Sequence, residues 1–200
     1  NEFFEDEDHF YLTMERIRGG HVLDRVHNGQ RFSENEARNF SKSLLDAVRH
    51  MHENGIVHRD LRLPNLLLRW LDDEADIIIS GFGYACRVRE PQSLTSRCGN
   101  PLYVAPEILK NIPYDQAVDM WSIGVILFFV LCGRPPFTDE DPAENFRKIR
   151  TGQWSFDGEG WEEVSEEAKD LIRVLLVVNP AQRMTADEAL NCEWFSTEKD

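Results

Sequence analysis

Two hundred residues with 22 basic and 36 acidic side chains carry a net charge of −14, which excludes a nonspecific binder of nucleic acid or anionic membrane, since either needs a net basic face. A hydrophobic fraction of 42% suits one domain, or two small lobes sharing a core, and excludes a disordered chain. The longest apolar run, Ile123 to Cys132, falls well short of the roughly 20 residues that a membrane span requires.

Phe10 to Ile17 has strand-like content, and Gly19-Gly20 ends it. Ser33 with Glu36 has the capping-box spacing, and Ala37, Phe40, Leu44, Ala47, Val48 and Met51 then recur at threes and fours until Gly55, which predicts an amphipathic helix. Ile56-Val57, Leu66 to Leu68 and Ile77 to Ile79 read as short strands around loops. Trp121 to Cys132 is apolar all round, the pattern of a helix surrounded by protein. Asp141-Pro142 opens a helix that Gly152 follows, and Ser165 opens another with Ala168, Leu171, Ile172, Leu175 and Leu176 as its stripe. Thr185 and Glu188 cap a last short one.

The acids cluster at Glu5 to Asp8, Asp72 to Asp76, Asp139 to Asp141 and Glu159 to Glu167, which read as solvated loops or helix starts. Cys86, Cys98, Cys132 and Cys192 form no CxxC pair and are expected as reduced thiols. The chain opens on Asn1 without a signal-peptide pattern, so it is expected to be a piece of a longer intracellular protein, cytoplasmic or secondarily nuclear. His50 and His52 with His58 and Asp60 could suggest a zinc hydrolase, but residues two apart on a helix do not share a face. The pairs Phe128-Phe129 and Trp154/Trp161 read as packing anchors.

The loop after Val57 is where chemistry is expected. The chain reads IVHRDLRLPNLLL, then GFG at Gly81 to Gly83, YVAPE ending at Glu107, DMWSIG from Asp119, PPF at Pro135 to Phe137, and Arg183. In this order the set resembles the eukaryotic protein kinases. FYLTMERIRGGHVLDRV, CGNPLYVAPEIL, CGRPPF and SEEAKDLIRVLL are similar to segments of the calcium/calmodulin-dependent group of Ser/Thr kinases. The resemblance covers residues 3 to 197 and implies an α+β, mainly α, protein kinase-like fold: the C-terminal lobe plus the last strands of the N-terminal lobe. Residues 1–18 would end the N-lobe and form the hinge, and 19–197 the C-lobe, with a catalytic loop at 58–65, an activation segment at 81–107 and a tail at 198–200.

The resemblance also implies roles. Asp60 matches the base that accepts a substrate hydroxyl proton, and Asn65 the ligand of a second magnesium. Arg62 stands where the family has a phosphate-holding lysine. Met14, Glu15 and Ile17 would line the adenine at the hinge, Leu67 would floor it, and Ser80 would border the nucleotide. Arg59 matches the arginine that pairs with a phosphorylated activation segment, with Ser93, Thr95 and Ser96 as acceptors. His58, Glu107, Asp119 and Arg183 match scaffold positions, Glu107 and Arg183 as a buried ion pair. ATP and Mg2+ are the implied cofactors. A protein substrate or scaffold partner, a missing N-lobe and a calmodulin-type regulator outside the chain are the implied partners.

Departures from the pattern fall on the chemistry. Gly81 occupies the position of the main metal-binding aspartate; Leu63-Pro64 replaces Pro-Glu, Asn100 replaces a threonine, and Leu102 replaces a small glycine. No glycine-rich phosphate loop or strand lysine is present. Losing a direct metal ligand forfeits about 3 to 5 kcal/mol, or roughly 10² to 10⁴ in rate. The expectation is the catalytic region of an impaired Ser/Thr protein kinase, inactive or very weak as this chain alone; the alternative is a pseudokinase serving as a protein-binding scaffold or allosteric regulator. Restoring the acid by Gly81→Asp is expected to cost little stability.

Overall fold

The computed structural model describes residues 2–26, 31–70 and 73–196. The chain begins with an antiparallel hairpin of β1 (Glu2–Glu5) and β2 (Phe10–Thr13), in register from Glu2 opposite Thr13 to Glu5 opposite Phe10. Among the described residues the predicted strand over Phe10 to Ile17 is paired only from Phe10 to Thr13. The acidic run Glu5 to Asp8 is the hairpin turn rather than a helix start: Asp6 accepts from the backbone N–H groups of Asp8 and His9 and from the Tyr11 hydroxyl. These contacts hold the Asp6 carboxyl below its usual range, with the Asp8 bond the largest cause.

The Gly19-Gly20 break has a packing reason. A Cβ at Gly19 would lie 2.3 Å from the Leu68 carbonyl oxygen, so only glycine lets this segment cross β4 (Leu66–Trp70) so closely. The Leu68 N–H donates to the Gly20 carbonyl at 2.9 Å, and α1 (Val22–Val26) then packs on β4.

The long helix α2 (Glu34–Glu53) begins at the Ser33/Glu36 capping box. Bonds from Ser33 lower the Glu36 carboxyl below its ordinary value. The buried face holds the predicted stripe with Leu45 in addition, while Ala47 is only half-buried. A two-residue ladder joins β3 (Ile56–Val57) to β6 (Cys86–Arg87). The β4 strand pairs antiparallel with β5 (Asp73–Ile79), which packs on α2. The acidic run at 72–76 is therefore largely strand, because pairing with β4 and docking of Ile77 and Ile79 on the core extend the ladder back through Asp73. Asp72 and the 198–200 tail lie outside the described residues.

The rest is helical. A short α3 (Pro106–Leu109) precedes α4 (Ala117–Cys132), which is buried on all sides as its composition predicts. At Gly124 a Cβ would meet Leu175 and Leu176 at 2.9 Å, so glycine permits the close crossing with α6 (Glu166–Leu175). Asp141 caps α5 (Pro142–Thr151) and left-handed Gly152 ends it; Ser165 caps α6; Thr185 and Glu188 box α7 (Ala186–Leu190), and α8 (Glu193–Ser196) follows. Phe128 packs with Trp154, Phe156 and Trp161 at centroid distances of 4.7 to 6.1 Å, the packing role expected of these rings. All four cysteines are free, and burial pushes the Cys132 thiol up to about 11. No helix among the described residues is long and apolar enough to cross a membrane.

One buried ion pair ties the last third of the chain to α3. Arg183 donates to both Glu107 carboxylate oxygens, at 2.8 and 3.1 Å, and to the carbonyls of Ala117 and Val177. Removing one partner strands the other charge away from water. Glu107→Ala is expected to lower stability by about 3 to 5 kcal/mol, and Glu107→Leu with Arg183→Met by much less. Urea unfolding of the two variants checks this, and equal losses would contradict it.

Candidate functional site

The site is built on a loop that would not hold its shape alone. Arg59 has φ +66, a left-handed conformation unfavourable for a residue with a side chain. Fully buried Asp119, near the start of α4, compensates: Oδ2 accepts from the His58 N–H and Oδ1 from the Arg59 N–H, both at 2.9 Å. His52, at the end of α2, adds its Nε2 at 3.0 Å from Oδ2. The carboxylate thus clamps the turn from below.

His58 is buried, with Nδ1 accepting from the Asp60 N–H at 3.2 Å and Nε2 donating to the Ser80 carbonyl at 2.9 Å. That pattern assigns the ring proton to Nε2. The ring therefore links residue 60 to the segment entering Gly81, and Phe82 packs edge-on against it at 4.8 Å.

Asp60 and Asn65, the two residues that the resemblance singles out on this loop, are in contact. Asn65 Nδ2 donates to the Asp60 carbonyl at 2.8 Å and to Oδ2 at 2.9 Å. Arg62 Nε lies 3.3 Å from the same oxygen as an ion pair, without the alignment of a hydrogen bond. The Asn65 amide and the Arg62 guanidinium thus crowd one oxygen of Asp60, and no described residue bonds the other.

Gly81 adopts φ +78, and a Cβ built there would fall 2.7 Å from Asn65 Cγ and Nδ2. The Asn65 amide occupies the space that a side chain at residue 81 would need. The expectation that Gly81→Asp costs little stability is corrected by this contact and by the left-handed backbone. Asp76 is turned away, paired with Arg69 at 3.0 Å. The β5 strand stops at Ile79, and the Ser80 hydroxyl donates to the Asn65 carbonyl at 3.0 Å.

At the proposed hinge, Met14 is exposed, Glu15 pairs with Arg69, and Ile17 and Leu67 are half-buried. Farther along, the Arg59 guanidinium bonds the Tyr84 carbonyl at 2.6 Å and the Tyr114 hydroxyl at 3.2 Å, and that hydroxyl donates to the Ser96 carbonyl at 2.6 Å. Ser93, Thr95 and Ser96 are exposed. Asn100 spends its side-chain oxygen on the Leu102 N–H. Sequence reasoning missed Tyr114 and the part played by His52. Burial pushes the Tyr114 hydroxyl up to about 12. The Tyr just before Asp115 carries no motif, and His52 was visible only as one of a divergent pair.

With this geometry in place, the comparisons give the class. Residues 1–195 match the protein kinase domain family, and the chain belongs to it. Within the family it resembles the calcium/calmodulin-dependent group. It is 43% identical over 195 residues to a calcium/calmodulin-dependent protein kinase type 1 of Macrobrachium nipponense, covering 98% of this chain and 56% of that protein. It is 42% identical over 193 residues to the protein of the same name from Caenorhabditis elegans, covering 96% and 55%. It is 41% identical over 202 residues to the "Probable serine/threonine-protein kinase fhkC" of Dictyostelium discoideum, covering all of this chain and 34% of that one. The chain spans about half the length, or less, of these relatives.

Gly81 and Gly83 separate backbone strain from composition, because a Cβ at Gly83 meets nothing within 4 Å. Gly81→Ala is expected to cost about 1 to 2 kcal/mol and Gly83→Ala close to nothing. Thermal unfolding of the two variants checks this, and equal losses would remove the strain argument.

Proposed function

We propose that the chain is the C-lobe of a Ser/Thr protein kinase catalytic region, paired in the whole protein with an N-lobe, and impaired in phosphoryl transfer by its own residue 81. The observation that carries the reading is the pairing of Asp60 with Asn65 and Arg62 on a loop clamped by Asp119, directly beside a glycine.

The residues present fit a nucleotide better than they fit its metal. In this reading Met14, Glu15 and Ile17 meet the adenine, Leu67 lies beneath it, and Arg62 presents a planar guanidinium to the terminal phosphate. The free oxygen of Asp60 orients a substrate hydroxyl and takes its proton. The main metal position does not fit, because Gly81 supplies no ligand and the Asn65 amide fills the space of a side chain there. Arg59 would receive a phosphate on Ser93, Thr95 or Ser96 by exchanging its present carbonyl and hydroxyl partners for phosphate oxygens.

The second reading is a pseudokinase scaffold. The crowded Asp60 oxygen and the missing carboxylate favour it, since a binding module needs the clamped fold but no metal.

ATP titration by calorimetry, with and without magnesium, tests the reading. Weak binding is expected, with magnesium changing affinity by less than about threefold, or roughly 0.65 kcal/mol. Micromolar affinity that depends on magnesium would contradict it.

A further inference from the structure

A groove of about 510 Å³, whose lining includes none of Asp60, Asn65 and Gly81, is not used by the chemistry above. Its walls come from the end of α2, the chain after β6, the start of α4 and the turn before α7. Met120 and Met184 contribute apolar lining, and Glu53, Glu90, Asp115 and Glu188 stand around it.

These acids are not equally committed. Glu188 serves the Thr185 cap, and Asp115 accepts from the N–H groups of Ala117 and Gln92. Glu53 and Glu90 are exposed and pair with no other described residue. Of the cations lining the groove, Arg183 is bound to Glu107, which leaves Arg89 as the uncommitted one among the described residues. An acidic rim over partly apolar walls suits a side chain with a long aliphatic stem and a cationic head, which buries the one and presents the other to carboxylates.

We propose that this groove docks a partner polypeptide segment that alternates apolar residues with arginine or lysine. The occupant would touch two parts of the proposed machinery. The wall at Val88 to Pro91 belongs to the 81–107 segment, and the Val88 N–H is bonded to the Gly55 carbonyl at 2.7 Å. His52, also in the lining, reaches Asp119, which clamps the 58–60 turn. Docking here would bear on the loop without touching Asp60, Asn65 or Gly81.

The test is fluorescence anisotropy of a labelled octapeptide of alternating leucine and arginine against the full chain, with a leucine and glutamate octapeptide as its counterpart. Glu53→Lys/Glu90→Lys should weaken binding by at least about tenfold. Glu140→Lys/Glu159→Lys, exposed acids outside the groove, changes the net charge equally and should weaken it by less than about twofold. Hydrogen exchange should show the peptide protecting amides at 88–92 and 115–120. Equal weakening by the two reversals, equal binding of the acidic peptide, or protection elsewhere would each overturn the proposal.

Discussion

The arrangement depends on one buried carboxylate. Asp119 has no contact with solvent and accepts from two consecutive backbone N–H groups and one imidazole. Without it the His58 and Arg59 N–H groups would be stranded, at about 1 to 3 kcal/mol each, and the left-handed Arg59 would lose what holds it. Asp119 can stand there because α4 is packed on all sides, so its first turn cannot shift. The Glu107 and Arg183 pair secures the same turn through the Ala117 carbonyl. The core helix, the ion pair and the loop are thus one mechanical unit, and the position of Asp60 follows from it.

Within that unit, residues 65 and 81 share one volume. The Asn65 carbonyl accepts from the Ser80 N–H and hydroxyl, and its amide is held on Asp60, so its side chain lies across Gly81. In the proposed reading, the glycine at 81 therefore does more than withhold a metal ligand. An acid restored there would have to displace an amide that already has a partner, on a backbone that favours glycine. Asparagine and aspartate tolerate the left-handed region better than other residues, which makes the substitution costly but accessible.

Much of this was legible in the sequence because it rests on local rules. The Ser33/Glu36 and Thr185/Glu188 boxes, the stripe of α2 and the all-apolar α4 depend on spacing alone, and each is found where the spacing puts it. The short strands were placed, but their ends were not, because a strand's length is set by its partner: β5 reaches back to Asp73 to match Trp70. The same limit applied at the site. Asp60 and Asn65 were singled out by the resemblance of their motif, whereas the contact between Asn65 and Gly81, the clamp by His52 and the role of Tyr114 join residues 16, 67 and 55 positions apart. Gly19 was legible as a break but not as a crossing, since its neighbour is a carbonyl on another strand.

If the missing carboxylate at residue 81 is the principal defect, restoring it should restore chemistry. The direct measurement is radiolabelled phosphate transfer to a mixed peptide library by a protein carrying an N-lobe ahead of residue 1, compared as parent, Gly81→Asp and Gly81→Asp with Asp60→Asn. The expected result is a gain of at least about tenfold for Gly81→Asp, despite its lower stability, and loss of that gain in the double variant. If Gly81→Asp binds magnesium and ATP tightly yet transfers no phosphate above background, the defect lies in substrate access and not at the metal position.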